Sequence, residues 1–350
     1  MFLTRRLKIF IVVALAAGVV VPAVMQLSGA DLSASLAEFP LWTVLFPFLS
    51  YMLIYVVDAL RLRIVLRQFG LSVNLKKRFV NGVIGAFYSN ITPMAAGGQP
   101  AQIMHLTKCD VPGSAATAII LVRFTEYLVL SLGVTVFGLF YFRRYLEEMI
   151  SSGNLGILLA GIGFGLYIAL CTGLLIVVFI PGLEKKIESM FARSRSKKIA
   201  KFIEKVRRLS EALSIFRRKS LLLVAADFFL GVINLVLQVF SLWILLSFRT
   251  DVPGGFPAVF TAFVLLNTIA YFVPSPGGSG GIESAYTVFF SALIGTNIAV
   301  AVLVWRFGSY YLHIGFQMII SLFTIRRKKI ENSNVELVLL APQGRDGKIC

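Results

Sequence analysis

Apolar runs of membrane-crossing length recur along nearly the whole chain, parted by short polar or glycine- and proline-rich connections. A helix needs roughly 20 apolar residues to cross a hydrocarbon core about 30 Å thick. Runs at 9–27, 41–57, 114–140, 154–180, 220–247 and 297–324 meet that need and predict six full spans. Two further segments, 79–108 and 258–295, are apolar but interrupted, and their arms are short. The first has an apolar arm at 79–91 and a short polar helix after it. The second has arms at 257–273 and 285–295.

Both interruptions forbid helix. The first reads Asn90-Ile91-Thr92-Pro93-Met94-Ala95-Ala96-Gly97-Gly98-Gln99-Pro100, and the second Pro274-Ser275-Pro276-Gly277-Gly278-Ser279-Gly280-Gly281-Ile282-Glu283. Proline removes a backbone donor, and glycine allows positive φ and close approach of another group. Such backbone is tolerated at membrane depth only where it is buried in protein or lines a wet cavity. Broken helices in both halves of a chain point to a transporter binding site. The plainer reading is an ordinary turn outside the membrane between two spans.

Charge sets the sides. The connection at 28–40 holds Asp31 and Glu38 and no basic residue, whereas 61–78 carries Arg61, Arg63, Arg67, Lys76, Lys77 and Arg78. Residues 183–219 hold thirteen Lys/Arg against four Glu, and the last span stops at Arg326-Arg327-Lys328-Lys329. By the positive-inside rule these basic stretches and both termini lie in the cytoplasm. The sides agree with six spans if the two interrupted segments each enter and leave on one face, as oppositely directed re-entrant hairpins forming an inverted repeat. Full crossing by each hairpin also preserves parity. Within 183–219, Ile199, Phe202, Ile203, Val206, Leu209, Leu213 and Phe216 form one apolar stripe on a basic helix, which suits the membrane surface or a partner's groove.

Composition narrows the class. Of 350 residues 57% are hydrophobic and 15% charged, with a mean hydropathy of +0.84. We read 1–325 as a single polytopic membrane domain, with 183–219 its cytoplasmic basic segment and 326–350 a short tail. The net charge of +17 comes from basic residues beside apolar runs, which speaks for anionic lipid rather than nucleic acid. The N-terminal basic residues and apolar run resemble a signal peptide, but the run exceeds the usual h-region of about 7–15 residues, so a retained span is expected. Cys109, Cys171 and Cys350 show no metal or redox spacing.

The ionisable residues inside the spans carry the candidate chemistry. Arg123 and Glu126 sit three apart on one helix face, and Arg306 is similarly deep in the last span. Each costs about 2.5–3.5 kcal/mol on insertion scales, so each is expected to face the interior with a partner. A structural Arg123–Glu126 pair is one reading. The other is a site for a phosphate headgroup, held bidentately by arginine and helped by free N–H groups where the helix begins near Glu283. His105 and His313 read as packing residues, and Asp58 and Asp227, near span ends, are assigned no role. No catalytic set, metal cluster or cofactor motif stands out.

These residues resemble the flippase-like membrane region of lysylphosphatidylglycerol synthases and their stand-alone relatives. Pro276-Gly277-Gly278-Ser279-Gly280-Gly281-Ile282-Glu283 matches the Pro-Gly-Gly-x-Gly-x-x-Glu pattern of that family, and Arg306 matches its arginine in the final helix. Asn90, Pro93, Gly97 and Gly98 resemble the motif of the first half, and Arg123 its later intramembrane arginine. Where an arginine is expected after the first Gly-Gly, the chain has Gln99, Gln102 and His105. The resemblance covers about 5–325 and implies a protein of a bacterial or archaeal inner membrane that moves a polar lipid between leaflets. Without the aminoacyl-transfer domain of the fused synthases, aminoacylation by this chain alone is not expected.

The expected substrate is an anionic phospholipid or a polyprenyl-phosphate-linked lipid. Arg123, Glu126, Glu283, Arg306, Gly277, Gly278, Gly280, Asn90, Gly97, Gly98 and Gln99 are the expected site. Two alternatives remain open here. One is a membrane-embedded transferase on a lipid-phosphate carrier, with Glu283 or Glu126 as base; the other is a scaffold for a soluble lipid-modifying enzyme.

Overall fold

The computed structural model describes residues 38–142, 155–191, 197–217, 221–270, 277–294, 298–321 and 323–324. The expected first span at 9–27, most of the connection after it, the prolines at 274 and 276 and the tail lie outside the described residues. Every regular element among the described residues is helical. In chain order these are α1 (Trp42–Gln68), α2 (Leu75–Ile91), α3 (Gly98–Thr107), α4 (Gly113–Tyr141), α5 (Leu155–Phe179) and α6 (Leu183–Phe191). They continue with α7 (Lys197–Arg217), α8 (Leu221–Arg249), α9 (Gly255–Ala270), α10 (Gly281–Ile294) and α11 (Ala299–Arg306). A π-helical turn, Phe307–Tyr311, joins α11 to further helix at 312–321.

Helix α1 differs from its expectation. It does not stop at Val57 but runs on to Gln68, so Arg61, Arg63 and Arg67 are helical rather than in a loop. Charged residues do not end a helix; the chain does so only where Gly70 takes φ +68°. Asn74 then caps α2 by accepting a hydrogen bond from the Lys77 amide at 2.8 Å. Along α1, Trp42, Leu45, Leu49, Leu53, Val56 and Leu60 are exposed at helical spacing, while Tyr55, Leu62 and Leu66 are buried. An exposed apolar stripe opposite a buried face is what lipid contact requires, since lipid tails replace water on the outer surface.

Helices α1, α4 and α8 are long and apolar enough to cross a membrane. The arms of the two interrupted segments are shorter. At 1.5 Å per residue, α2 (17 residues) and α3 (10 residues) reach only about 25 and 15 Å. Likewise α9 (16 residues) and α10 (14 residues) reach about 24 and 21 Å. None matches a hydrocarbon core of about 30 Å.

Two packed regions hold the arms. Leu242, Val259, Phe263, Tyr286, Phe290 and Trp305 join α8, α9, α10 and α11. Leu62, Leu66, Leu106 and Ile119 join α1, α3 and α4. Helix α9 is also tied to α4 through Thr268, whose hydroxyl lies 3.0 Å from that of Thr135. The stripe on α7 is partly spoken for by protein. Leu213 is buried with Ala118, Val122 and Val178 against α4 and α5, while Phe202 stays exposed. The expected surface helix is therefore docked at its C-terminal half.

Candidate functional site

The two helix-breaking motifs meet. After α2, Thr92 stands before Pro93 and adopts extended backbone, which ends the helix. Met94 and Ala95 follow with φ of 54° and 53°, left-handed values that ordinary residues rarely adopt. The Thr92 hydroxyl accepts from the Gly97 amide at 2.9 Å and closes the turn. In the second motif Gly277, Gly278 and Gly280 have φ of 58°, 66° and 85°. Asn90, Met94 and Ala95 of the first tip and Gly277 and Gly278 of the second line one cavity of about 290 Å³.

Arg306 governs that cavity. Its Nε donates to Glu283 Oε1 at 2.8 Å, and its Nη2 to the Gly277 carbonyl at 3.3 Å. The guanidinium lies 4.1 Å from the centre of the Tyr310 ring. Glu283 is wholly buried and fully used: Oε1 also accepts from the Tyr311 hydroxyl at 3.3 Å, and Oε2 from the Gly280 amide at 2.7 Å. That last bond is the returning half of a capping box, which explains a glutamate at the third position of α10. The π-helical turn brings Tyr310 and Tyr311 both to this site. Tyr310 in turn donates to the Asn90 carbonyl at 3.1 Å, locking one motif to the other. A Cβ on Gly277 would stand 2.2 Å from the Tyr310 hydroxyl, so only glycine fits beneath that ring.

A second cavity, of about 320 Å³, holds the other arginines. Asp58, Arg61, Gly98, Gln99, Gln102 and Arg123 line it. The Arg123–Glu126 pair, one of the two readings of these residues, is not formed. Arg123 Nη2 instead donates to Asp58 Oδ1 of α1, and its buried Nε meets no acceptor. Glu126 sits 3.5 Å from Arg61 Nη2, and Arg61 Nε lies 2.9 Å from Asp227 Oδ1. The reason is direction: residues three apart on one helix share a face, and here that face meets α1, whose own charges outbid the neighbour on α4. Gly82 and Gly231 leave the room. A Cβ on the first would lie 3.0 Å from Asp58 Oδ2, and on the second 3.2 Å from Arg61 Cζ.

The two cavities adjoin. Ile54, Tyr55, Ala86, Ser89, Tyr127 and Gln238 line both. Tyr55 is held there by Gln317, which donates to its hydroxyl at 2.7 Å, and by His313 Nδ1 at 3.3 Å. His313 also bonds the Phe48 carbonyl at 3.0 Å and stacks on the Phe48 ring, so it is the packing residue expected. His105 is buried against Asn81, its Nδ1 3.3 Å from the amide nitrogen.

Of the expected site residues, Asn90, Gly277, Gly278 and Arg306 line one cavity, and Gly98, Gln99 and Arg123 the other. Glu126, Glu283, Gly97 and Gly280 line neither and support those that do. Asp58, Arg61 and Asp227 were missed. The signal lay in Asp58-x-x-Arg61, a charged pair at helical spacing on the face of α1 that carries Tyr55 and Leu62, opposite its exposed apolar stripe, and in Asp227 four residues before Gly231.

Long lipid-facing helices around polar, arginine-lined cavities define a multi-pass helical membrane protein. The chain belongs to the family described as the lysylphosphatidylglycerol synthase TM region, whose profile matches residues 9–316. It is similar to a UPF0104 membrane protein of Methanocaldococcus jannaschii, with 27% identity over 278 residues, 77% of this chain and 81% of the relative. A UPF0104 membrane protein of Archaeoglobus fulgidus is 24% identical over 306 residues, 81% of this chain and 88% of the relative.

Proposed function

We propose that this chain is a lipid flippase or lipid transporter that moves a polar, phosphate-bearing lipid between the leaflets of a bacterial or archaeal cell membrane. One observation carries the reading: two polar cavities share a wall inside an apolar envelope, and each exposes a buried arginine. The phosphate of an anionic phospholipid or of a polyprenyl-phosphate-linked lipid would engage Arg123 and Arg61, then Arg306. Arg123 offers a buried Nε with no acceptor, the donor such a phosphate would satisfy. The route between the cavities runs past Tyr55, Tyr127 and Gln238, hydrogen-bonding groups that can accompany a headgroup without trapping it. The short arms of α2–α3 and α9–α10 enter from opposite faces in this reading, and their tips meet beside Arg306. The basic ends of α1 and α2 face the cytoplasm, so cysteines at Asn74 and Asp251 should label from opposite sides.

The test is reconstitution. In proteoliposomes holding tail-labelled phosphatidylglycerol or a labelled polyprenyl phosphate, the inner-leaflet label should become accessible to an impermeant quencher faster than in empty vesicles. Arg306→Gln and Arg123→Gln should each abolish the gain. If neither lipid moves faster than in protein-free vesicles, the transport reading fails.

A further inference from the structure

Behind the first cavity, Glu126 of α4 and Asp227 of α8 meet the same guanidinium edge. Arg61 Nε lies 2.9 Å from Asp227 Oδ1, and Nη2 lies 3.5 Å from Glu126 Oε2. Those two nitrogens form the fork that elsewhere takes both oxygens of a single carboxylate. Here it takes one oxygen from each of two, which holds the carboxyl groups side by side against one guanidinium edge. Their remaining oxygens, Glu126 Oε1 and Asp227 Oδ2, are shut from solvent and meet no donor.

The charges around the pair do not balance. The groups facing it are Asp58 and Arg61 from α1 and Arg123 from α4, and Arg123 is bonded to Asp58. Asp58, Glu126 and Asp227 thus set three carboxylates against two guanidiniums, one negative charge too many for a dry interior. Two carboxyl groups crowded at one site resolve this by holding one proton between them. The proton supplies the donor that the two orphan oxygens lack.

We propose that Glu126 and Asp227 form a proton-binding site, linked to the occupancy of Arg61 by an anionic group in the adjoining cavity. The first half of this stands on the geometry alone; the second rests on the transport reading above. An anion that engages Arg61 draws the guanidinium away from the carboxyl pair, which then binds proton more tightly. Linkage makes the effect mutual: protonation frees Arg61 for the anion, so anion affinity falls as pH rises.

Infrared spectroscopy of the purified full chain in detergent at neutral pH tests both halves without a transport assay. The wild type should show the carbonyl stretch of a protonated carboxylic acid. Glu126→Gln and Asp227→Asn should each erase it, because the single acid left can ionise fully against Arg61. Glu204→Gln, at an exposed pair on α7, should leave it in place. Adding inorganic phosphate, an anion with no carbonyl of its own, should strengthen the band. Absence of the band in the wild type, or its survival in either of the first two variants, overturns the proton site. A band that ignores added phosphate overturns the linkage and leaves the site. Failure of the transport reading would be seen separately, as motionless lipid in the vesicles.

Discussion

The two arginine centres of this protein are built on the same plan and settled differently. At Arg306 one guanidinium meets one carboxylate, and every oxygen of Glu283 has a donor from Arg306, Tyr311 or the Gly280 amide. At Arg61 and Arg123, three carboxylates crowd two guanidiniums and leave two oxygens dry and unmatched. The first centre is closed to further chemistry except through the outward face of Arg306. The second is short of one positive charge. A buried centre with matched charge holds structure together, and one with surplus charge must take up a proton or a ligand.

The comparison can be broken most sharply at Glu283. Glu283→Gln leaves Arg306 buried without its counter-charge and should cost about 3–5 kcal/mol, read as thermal unfolding in detergent. Glu126→Gln removes the surplus rather than the match. It should stay within about 1 kcal/mol of wild type, as a replacement that mimics the protonated acid. Equal losses for the two variants would erase the distinction drawn here.

Glycines at the two motifs offer the next contrast. Gly277→Ala combines left-handed backbone, at roughly 1–2 kcal/mol, with overpacking against Tyr310, at roughly 1–3 kcal/mol. Tyr310→Phe should not recover the loss, because the ring carbon Cε2 also stands 2.4 Å from the added methyl. Gly98→Ala meets first the Ser89 hydroxyl, 2.0 Å away, and then the Gly85 carbonyl oxygen at 3.0 Å, in ordinary helical backbone. Its cost of about 1–3 kcal/mol should be only partly recovered by Ser89→Ala, because the backbone contact remains. Smallest of all, Glu204→Gln on α7 breaks an exposed pair with Arg208 and should change stability by no more than about 0.5 kcal/mol.

Much of this was legible in the residues, and the remainder was hidden for physical reasons. Length and apolarity placed α4 and α8 within a residue or two, because a long uniform run has one reading. Burial of Arg306 beside a partner was expected, because an arginine deep in a span must face the interior, but that Glu283 is this partner was not legible in the residues. The second centre was misread because charge on α1 was taken as the end of a span. A buried arginine paired across helices looks in sequence the same as one at a membrane surface. The left-handed Met94 and Ala95 carry no sequence mark, since neither residue favours that backbone. Nor does the meeting of the two tips, which depends on contacts between residues 220 positions apart.

The π-helical turn at Phe307–Tyr311 has a mechanical consequence. A π-turn carries one residue more than an α-turn, so the helix beyond it is out of phase with α11 by one residue's rotation, about 100°. That offset lets Arg306 face Glu283 while His313 and Gln317 face Tyr55 on α1. Expelling the surplus residue would turn the downstream half like a key by one notch. The bonds from His313 and Gln317 would then swing off Tyr55, a residue common to both cavities, and Tyr310 and Tyr311 would turn with them, leaving the Arg306–Glu283 pair without its tyrosine partners. Deleting Ser309 imposes that rotation permanently, and with it the loss of the latch on the wall between the two chambers.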